Sequence, residues 1–384
     1  ISGLTEPLVD LAEAQRNLAL TRLETAKLLT VNRDASARLV SLDSHPLIRE
    51  YFAQRLRQQQ PEAWRAAHRR LYEHLCATTK EGAQPTLEDI QPLYQAVAHG
   101  CQAGLQQEAC DKVYHARIQR GQEAYSTKKL GAFGSDLGAV ACFFETPWSR
   151  VSPALTEADQ AWLLNEAAFR LRALGRLNEA LEPMRAAIEG AVHLNDWNNA
   201  ARDASNLSQL ELTLGAVGGA VGDAEQSVTY ADRSGDAGRR MINRTTHADA
   251  LHQAGRRAEA EARFREAEQM QAESQANYPL LYSLQGFRYC DLLLTDAERA
   301  AWQMSQRSEV RGQRSEWVKA CRAVEQRAAE IQKRRTGLPT YSLLDIALDH
   351  LTLGRAALYA AILEPRSRRR QSAPTCSAAE GDQR

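Results

Sequence analysis

The first residue in this 384-residue chain whose type and place could do chemistry is His45, which stands immediately before Pro46 at the start of an apolar helical pattern. A helix N-terminus offers backbone N–H groups and the positive end of a dipole to an anion, and an imidazole there adds one more donor. The same ring could instead cap its own helix, and the residues leave both readings open. Other reactive sets are weaker. His68, Glu73 and His74 lack the H-E-x-x-H order of a zinc helix, and His247 and His252, five residues apart, fall off one helical face. The stretches 131–134 and 215–222 are glycine-rich, yet neither runs into Lys-Ser/Thr as a phosphate loop would, and no G-x-S-x-G marks a nucleophile. The expectation is a chain with no catalytic site, no metal and no cofactor of its own.

Composition narrows the partners. Lysine plus arginine equals aspartate plus glutamate at 48 each, so no overall positive field points to nucleic acid or a membrane surface. The arginine-rich stretch 307–335 and the cluster Arg366, Arg368, Arg369 and Arg370 read as solvated faces and tails. Cys76, Cys101, Cys110, Cys142, Cys290, Cys321 and Cys376 are scattered singly, which suits a reducing compartment better than a disulfide framework. There is no run of about 18 apolar residues and no basic-then-apolar leader, so the expectation is a cytoplasmic chain without a membrane partner. Its first residue is Ile1, in a segment that reads as the middle of a domain, so a piece of a longer protein is expected.

The elements that must position these residues fall into two patterns. Leu8, Leu11, Leu18 and Leu23, with Asp10 and Glu13 spaced as a capping box, predict a helix over 8–29. Short apolar runs at 28–31 and 38–42 flank turn residues 32–36, and Pro46 then opens a helix whose Leu47, Ile48, Tyr51 and Phe52 are expected to pack. Helix, hairpin, helix over 1–60 is a winged-helix pattern. Beyond residue 61 the spacing is helical throughout, and no further strand is expected. A repeat then appears: Leu174-Gly175 with Ala180 recurs as Leu214-Gly215 with Ala220 and as Ala254-Gly255 with Ala260, each copy forty residues on. Glycine can take the left-handed conformation that ends one helix, and alanine five residues later lets the next pack closely.

These copies resemble the tetratricopeptide family through Leu164, Ala167, Ala168, Leu171, Ala180, Met184 and Ala187, and again through Ala248, Leu251, Ala260, Phe264 and Ala267. The middle copy departs at Ser208 and Glu211, and Gly218, Gly219 and Gly222 predict a softer second helix there. The period exceeds the family's usual one of about 34 residues, and its terminal proline is missing. A degenerate copy carries Leu93, Val97, Gly104, Ala109, Val113 and Ala116, and a fourth starts at 278–294 but shows Thr295-Asp296 where its glycine belongs. The expected fold is all-α: a tetratricopeptide-like superhelical solenoid preceded by a small winged-helix domain. Its parts are a winged helix at 1–60, a helical linker at 61–157, repeats at 158–295, a polar helical segment at 296–340, a terminal helix at 341–364 and a disordered tail at 365–384.

The resemblance implies a ligand face on the first helix of each pair: Trp162, Asn165, Phe169 and Arg172; Arg202, Ser205, Gln209 and Leu212; Ile242, Thr245, Asp249 and His252. Aromatic and arginine groups there suit a peptide or protein partner. Residues 39–56 also resemble the end of the winged helix in STAND-type signalling NTPases of the NB-ARC kind. By that resemblance His45 falls on the motif histidine that contacts the β-phosphate of ADP, with Pro46 in place of the family's aspartate and Ser44 in place of its methionine. ADP or ATP would then belong to a longer parent carrying a P-loop, the chain here would be its sensor, and self-association could follow activation. The alternatives are a winged-helix transcription regulator approaching phosphates through Arg49, Arg55 and Arg57, or a plain scaffold.

Overall fold

A helix that turns back on itself must satisfy its last carbonyls, and here the same device does so at every repeated Leu-Gly or Ala-Gly. The structure, a computed structural model, describes residues 13–36, 39–303, 313–335 and 342–364. Gly175, Gly215 and Gly255 have φ of +76°, +81° and +76° and each follows the end of a first helix. At Gly215 the glycine N–H donates to the Leu212 carbonyl at 3.1 Å and the Ala216 N–H to the Glu211 carbonyl at 2.9 Å. This is the paired closure of a helix that ends in a left-handed residue. Gly104 closes the degenerate upstream pair in the same way, and Asn195 (φ 57°), whose type tolerates the conformation, does so between the first and second copies.

The chain divides into two compact units, residues 1–186 and 187–384. The first opens with α1 (Glu13–Thr25), the antiparallel hairpin β1 (Thr30–Arg33) and β2 (Leu39–Asp43), and α2 (Pro46–Gln59), the expected order of elements. Then come α3 (Pro61–Thr78), α4 (Leu87–Gln102), the short α5 (Gln106–Glu108), a π-helix (Ala109–Gln119) and a 3₁₀ turn (Gly121–Glu123). They are followed by α6 (Tyr125–Lys128), α7 (Phe133–Ala141), a second hairpin of β3 (Phe144–Thr146) and β4 (Arg150–Val151), and α8 (Glu157–Ala173). Thr86 and Asp89 form a reciprocal capping box at the start of α4. The β3/β4 hairpin corrects the expectation that strands end at residue 61: the aromatic and β-branched Phe144, Thr146 and Val151 pair across a turn in which Trp148 takes φ 64°.

Residues of α9 (Leu177–His193) span the boundary, and the second unit holds α10 (Trp197–Thr213), α11 (Val217–Ser234), α12 (Ala237–Gln253), α13 (Arg257–Ser274), α14 (Ser283–Gln303), α15 (Arg314–Arg335) and α16 (Leu343–Leu363). Helix α10 packs on α11 and α12, α12 on α13 and α14, and α14 on α15 and α16. Each first helix therefore touches both its own partner and the next first helix, the packing of a helical-repeat stack. The residues that carry the repeat are its core: Ala167, Ala168, Leu171 and Ala180, then Ala248, Ala260, Phe264 and Ala267, are 0% exposed.

The middle copy is built around its departures. Ser208 is buried and donates to the Ala220 carbonyl at 2.8 Å. Glu211 is buried too, and a Cβ on Gly219 would lie 2.8 Å from its carboxylate oxygen, so the glycine makes room for the larger side chain. Helix α11 runs unbroken through all three glycines. Thr295 and Asp296, which stand where the fourth copy lacks its glycine, lie inside α14. Contrary to the expectation of no membrane-length segment, α16 is long and apolar enough by length and composition to cross one; it is the one such helix among the described residues. Leu8, Leu11, Asp10, Arg307 and the tail at 365–384 lie outside the described residues.

Alanine should act with opposite sign at two glycines seven residues apart. Gly215→Ala forces a Cβ into a left-handed turn and is expected to cost about 1–2 kcal/mol in urea unfolding. Gly222→Ala, helical and facing open space, is expected to stabilise by about 0.5–1 kcal/mol.

Candidate ligand face

In the first unit the expected face lies on α8. Phe169 is 49% exposed and its ring centroid lies 6.1 Å from that of Phe133 on α7. Trp162 is half-buried, 5.8 Å from the Tyr114 ring and 5.6 Å from His115, while Asn165 and Arg172 are half-buried beside it. Beneath runs a buried charge network absent from the expected set. Arg170 and Asp136, 1% and 0% exposed, pair at 2.8 Å, and Asp136 also accepts from Tyr94 Oη at 2.6 Å and Ser126 Oγ at 2.9 Å. Arg170 reaches Glu166 at 2.8 Å, and Gln119 donates to Glu166 at 2.7 Å and to Tyr114 Oη at 2.8 Å. Burial works against the Arg170 charge, but Tyr114, Glu166 and Asp136 outweigh it and raise its pKa. Burial and Asp136 push Tyr94 above the usual phenol range.

In the second unit successive first helices are stitched at nearly the repeat spacing. Arg239 Nη2 donates to Asn198 Oδ1 at 3.3 Å, the Ser205 and Thr246 hydroxyls lie 3.0 Å apart, and Asn243 donates to the Ala201 carbonyl at 2.9 Å. Arg288 pairs with Asp249 at 3.0 Å, and His252 Nε2 lies 2.9 Å from Thr295 Oγ1. Of the expected face, Arg202, Gln209, Leu212, Ile242, Asp249 and His252 are half-buried. Ser205 and Thr245 are instead shut away at 4% and 0% exposure. In a stack each first helix is covered on its flanks by neighbours, so the open stripe is narrower than on a surface helix. Asn198, Arg239 and Arg288 join the face in their place, and only the register between neighbouring helices reveals them.

Charge on this face is costly. Burial, then the nearby Arg202, holds Arg239 below the ordinary arginine value against the opposing pull of Asp236 and Asp203. Burial raises Asp203 despite Arg202, which donates to it at 2.8 Å, and raises Asp249 despite Arg288. Arg288 is itself lowered by burial.

His45 is exposed and its Nδ1 accepts from the Leu47 N–H at 3.3 Å, so the ring caps its own helix. Leu47, Tyr51 and Phe52, expected to pack, are 69%, 59% and 58% exposed. Arg49 pairs with Asp43 at 3.5 Å. Of the weaker histidines, His68 Nδ1 lies 2.8 Å from His99 Nδ1, with burial and then His99 lowering its pKa to about 4. Among the described residues, Cys110, Asp111 and Asp159 come close enough to hold an ion, but the Gln107 amide already bonds both carboxylates at 2.7–3.1 Å. A cavity of about 690 Å³ in the first unit is lined by Arg57, Arg65, Arg150, Trp64, Cys101 and Cys142 among others. These come from separate segments, so no spacing in the sequence announces it.

Removing one partner of the buried pair strands the other. Arg170→Met is expected to cost about 3–5 kcal/mol and Tyr94→Phe about 1–3 kcal/mol in urea unfolding followed by circular dichroism. Compared with known proteins, the chain matches no family model and no curated sequence.

Proposed function

We propose that the chain is a recognition segment of tetratricopeptide type, whose second unit binds an acidic peptide or protein segment on the face formed by α10, α12 and α14. The observation that carries this reading is the Arg202 and Arg239 pair on adjacent first helices, where burial and mutual repulsion destabilise the Arg239 charge. A carboxylate from a partner would relieve that repulsion and add charge-assisted hydrogen bonds without rearranging the helices. Gln209, Leu212 and Ile242 beside them supply polar and apolar contact area for the rest of a peptide.

In this reading the first 60 residues are the winged-helix end of a STAND-type signalling NTPase and the repeats are its sensor, with nucleotide held in a longer parent. Support comes from the helix–hairpin–helix order and from the apolar side chains that α2 leaves exposed, which suit packing on a neighbouring domain. The same exposed apolar face speaks against α2 as a helix that approaches phosphates.

A fluorescein-labelled acidic decapeptide with a free C-terminus should bind the chain with salt-sensitive affinity. Arg239→Gln and Arg202→Gln are each expected to raise its Kd about tenfold or more, the range for a hydrogen bond to a charged group, while Arg265→Gln on α13 leaves it unchanged. Equal losses from all three, or none from the first two, would remove the face from the function.

A further inference from the structure

Helix α16 turns most of its polar side chains inward, beside the buried Ala356, Ala360 and Leu363, while His350 is exposed. Asp345, Asp349 and Thr352 are buried, Ser283 on α14 donates to Asp345, and Arg355 pairs with Asp291 at 2.7 Å and Glu298 at 2.8 Å. Tyr359 Oη donates to Glu298 at 2.5 Å. Outward the helix shows Leu344, Leu351 and Leu358 at 62%, 49% and 50% exposure, with Ala347, Gly354 and Ala361 exposed on the same side. The outer stripe is therefore apolar where that of a surface helix is ordinarily polar.

The stripe is heptad-regular: leucines stand seven residues apart, and small residues follow each by three. Laid antiparallel on a copy of itself, about a two-fold axis beside residues 352 and 353, it sets Leu344 against Ala361, Ala347 against Leu358 and Leu351 against Gly354. Every large side chain then meets a small one, which is the condition for close packing of an isologous interface. A parallel pairing would set leucine on leucine and leave gaps at the small residues. We propose that α16 is a dimerisation surface that pairs antiparallel with α16 of a second copy of this chain around Leu351 and Gly354. The facing strips are about 26 Å long and about 10–12 Å wide, so the dimer belongs to the weak, concentration-dependent class. A lipid surface is the competing occupant, since α16 is apolar enough by length and composition to meet a membrane and Arg366, Arg368, Arg369 and Arg370 follow it in the sequence; the experiment separates the two.

Sedimentation velocity on the full chain in reducing buffer, from about 1 to 100 µM, should show a dimer that grows with concentration. Gly354→Leu is the discriminating variant. A Cβ there meets nothing within 4 Å in the single chain, and leucine is the better helix former, so the fold is kept while the cavity for the partner's Leu351 is filled twice per dimer. The expected result is a dimer weakened on the order of a hundredfold with an unfolding midpoint of the dilute monomer that is equal or higher. A chain that stays monomeric at the highest concentration, or a dimer that Gly354→Leu leaves intact, overturns the proposal. So does flotation of the monomer with phosphatidylcholine/phosphatidylglycerol vesicles that Gly354→Leu leaves equal or stronger, which would assign the face to lipid.

Discussion

Everything in the helical part of this chain depends on one backbone constraint, the left-handed residue that ends a first helix and turns the chain back along it. With φ near +80° at Gly215, two helix-end carbonyls are satisfied within three residues, and α11 must return antiparallel to α10. Antiparallel return puts the next first helix beside the last, which in turn decides which side chains are covered on their flanks and which remain open. The closure survives replacement of glycine by asparagine at position 195 because the geometry, rather than the residue, is what the pair requires.

Polar groups are held inside by being paired, not by being excluded. Asp136 accepts bonds from α4, α6 and α8 at once, so one carboxylate fixes three helices relative to α7. Such a pair costs desolvation that its Coulomb attraction only partly offsets, and its main consequence is to permit a single arrangement of its neighbours. Glu211 is accommodated sterically instead, since its burial is compatible with close helix packing only where Gly219 yields space. The half-buried charges of α10, α12 and α14 differ in kind: burial and the nearby Arg202 together outweigh Asp236 and Asp203 at Arg239, whose guanidinium is held by the Asn198 side chain.

The last described helix turns both polar and apolar groups inward. The inward ion pairs of Arg355 and the bond from Ser283 to Asp345 tie α16 to α14, and the same rotation leaves Leu344, Leu351 and Leu358 outside while Leu363 is buried. Periodicity alone would turn those leucines inward; the buried polar partners on α14 are what set the orientation.

The sequence by itself determined the repeat and its core. Glycine has a local backbone reason to recur every forty residues, and Ala167, Ala180, Ala260 and Phe264 have a local packing reason, so both could be read without coordinates. The N-terminal hairpin was legible too, because alternating apolar runs around turn residues act over short range. Only the tertiary structure decided what depends on neighbours distant in the chain: the closing of Ser205 and Thr245, the entry of Arg239 and Arg288 into the face, the β3/β4 hairpin and the outward turn of α16. Spacing within a helix reports which residues share a side, while burial depends on what another helix, some forty residues away, places against that side.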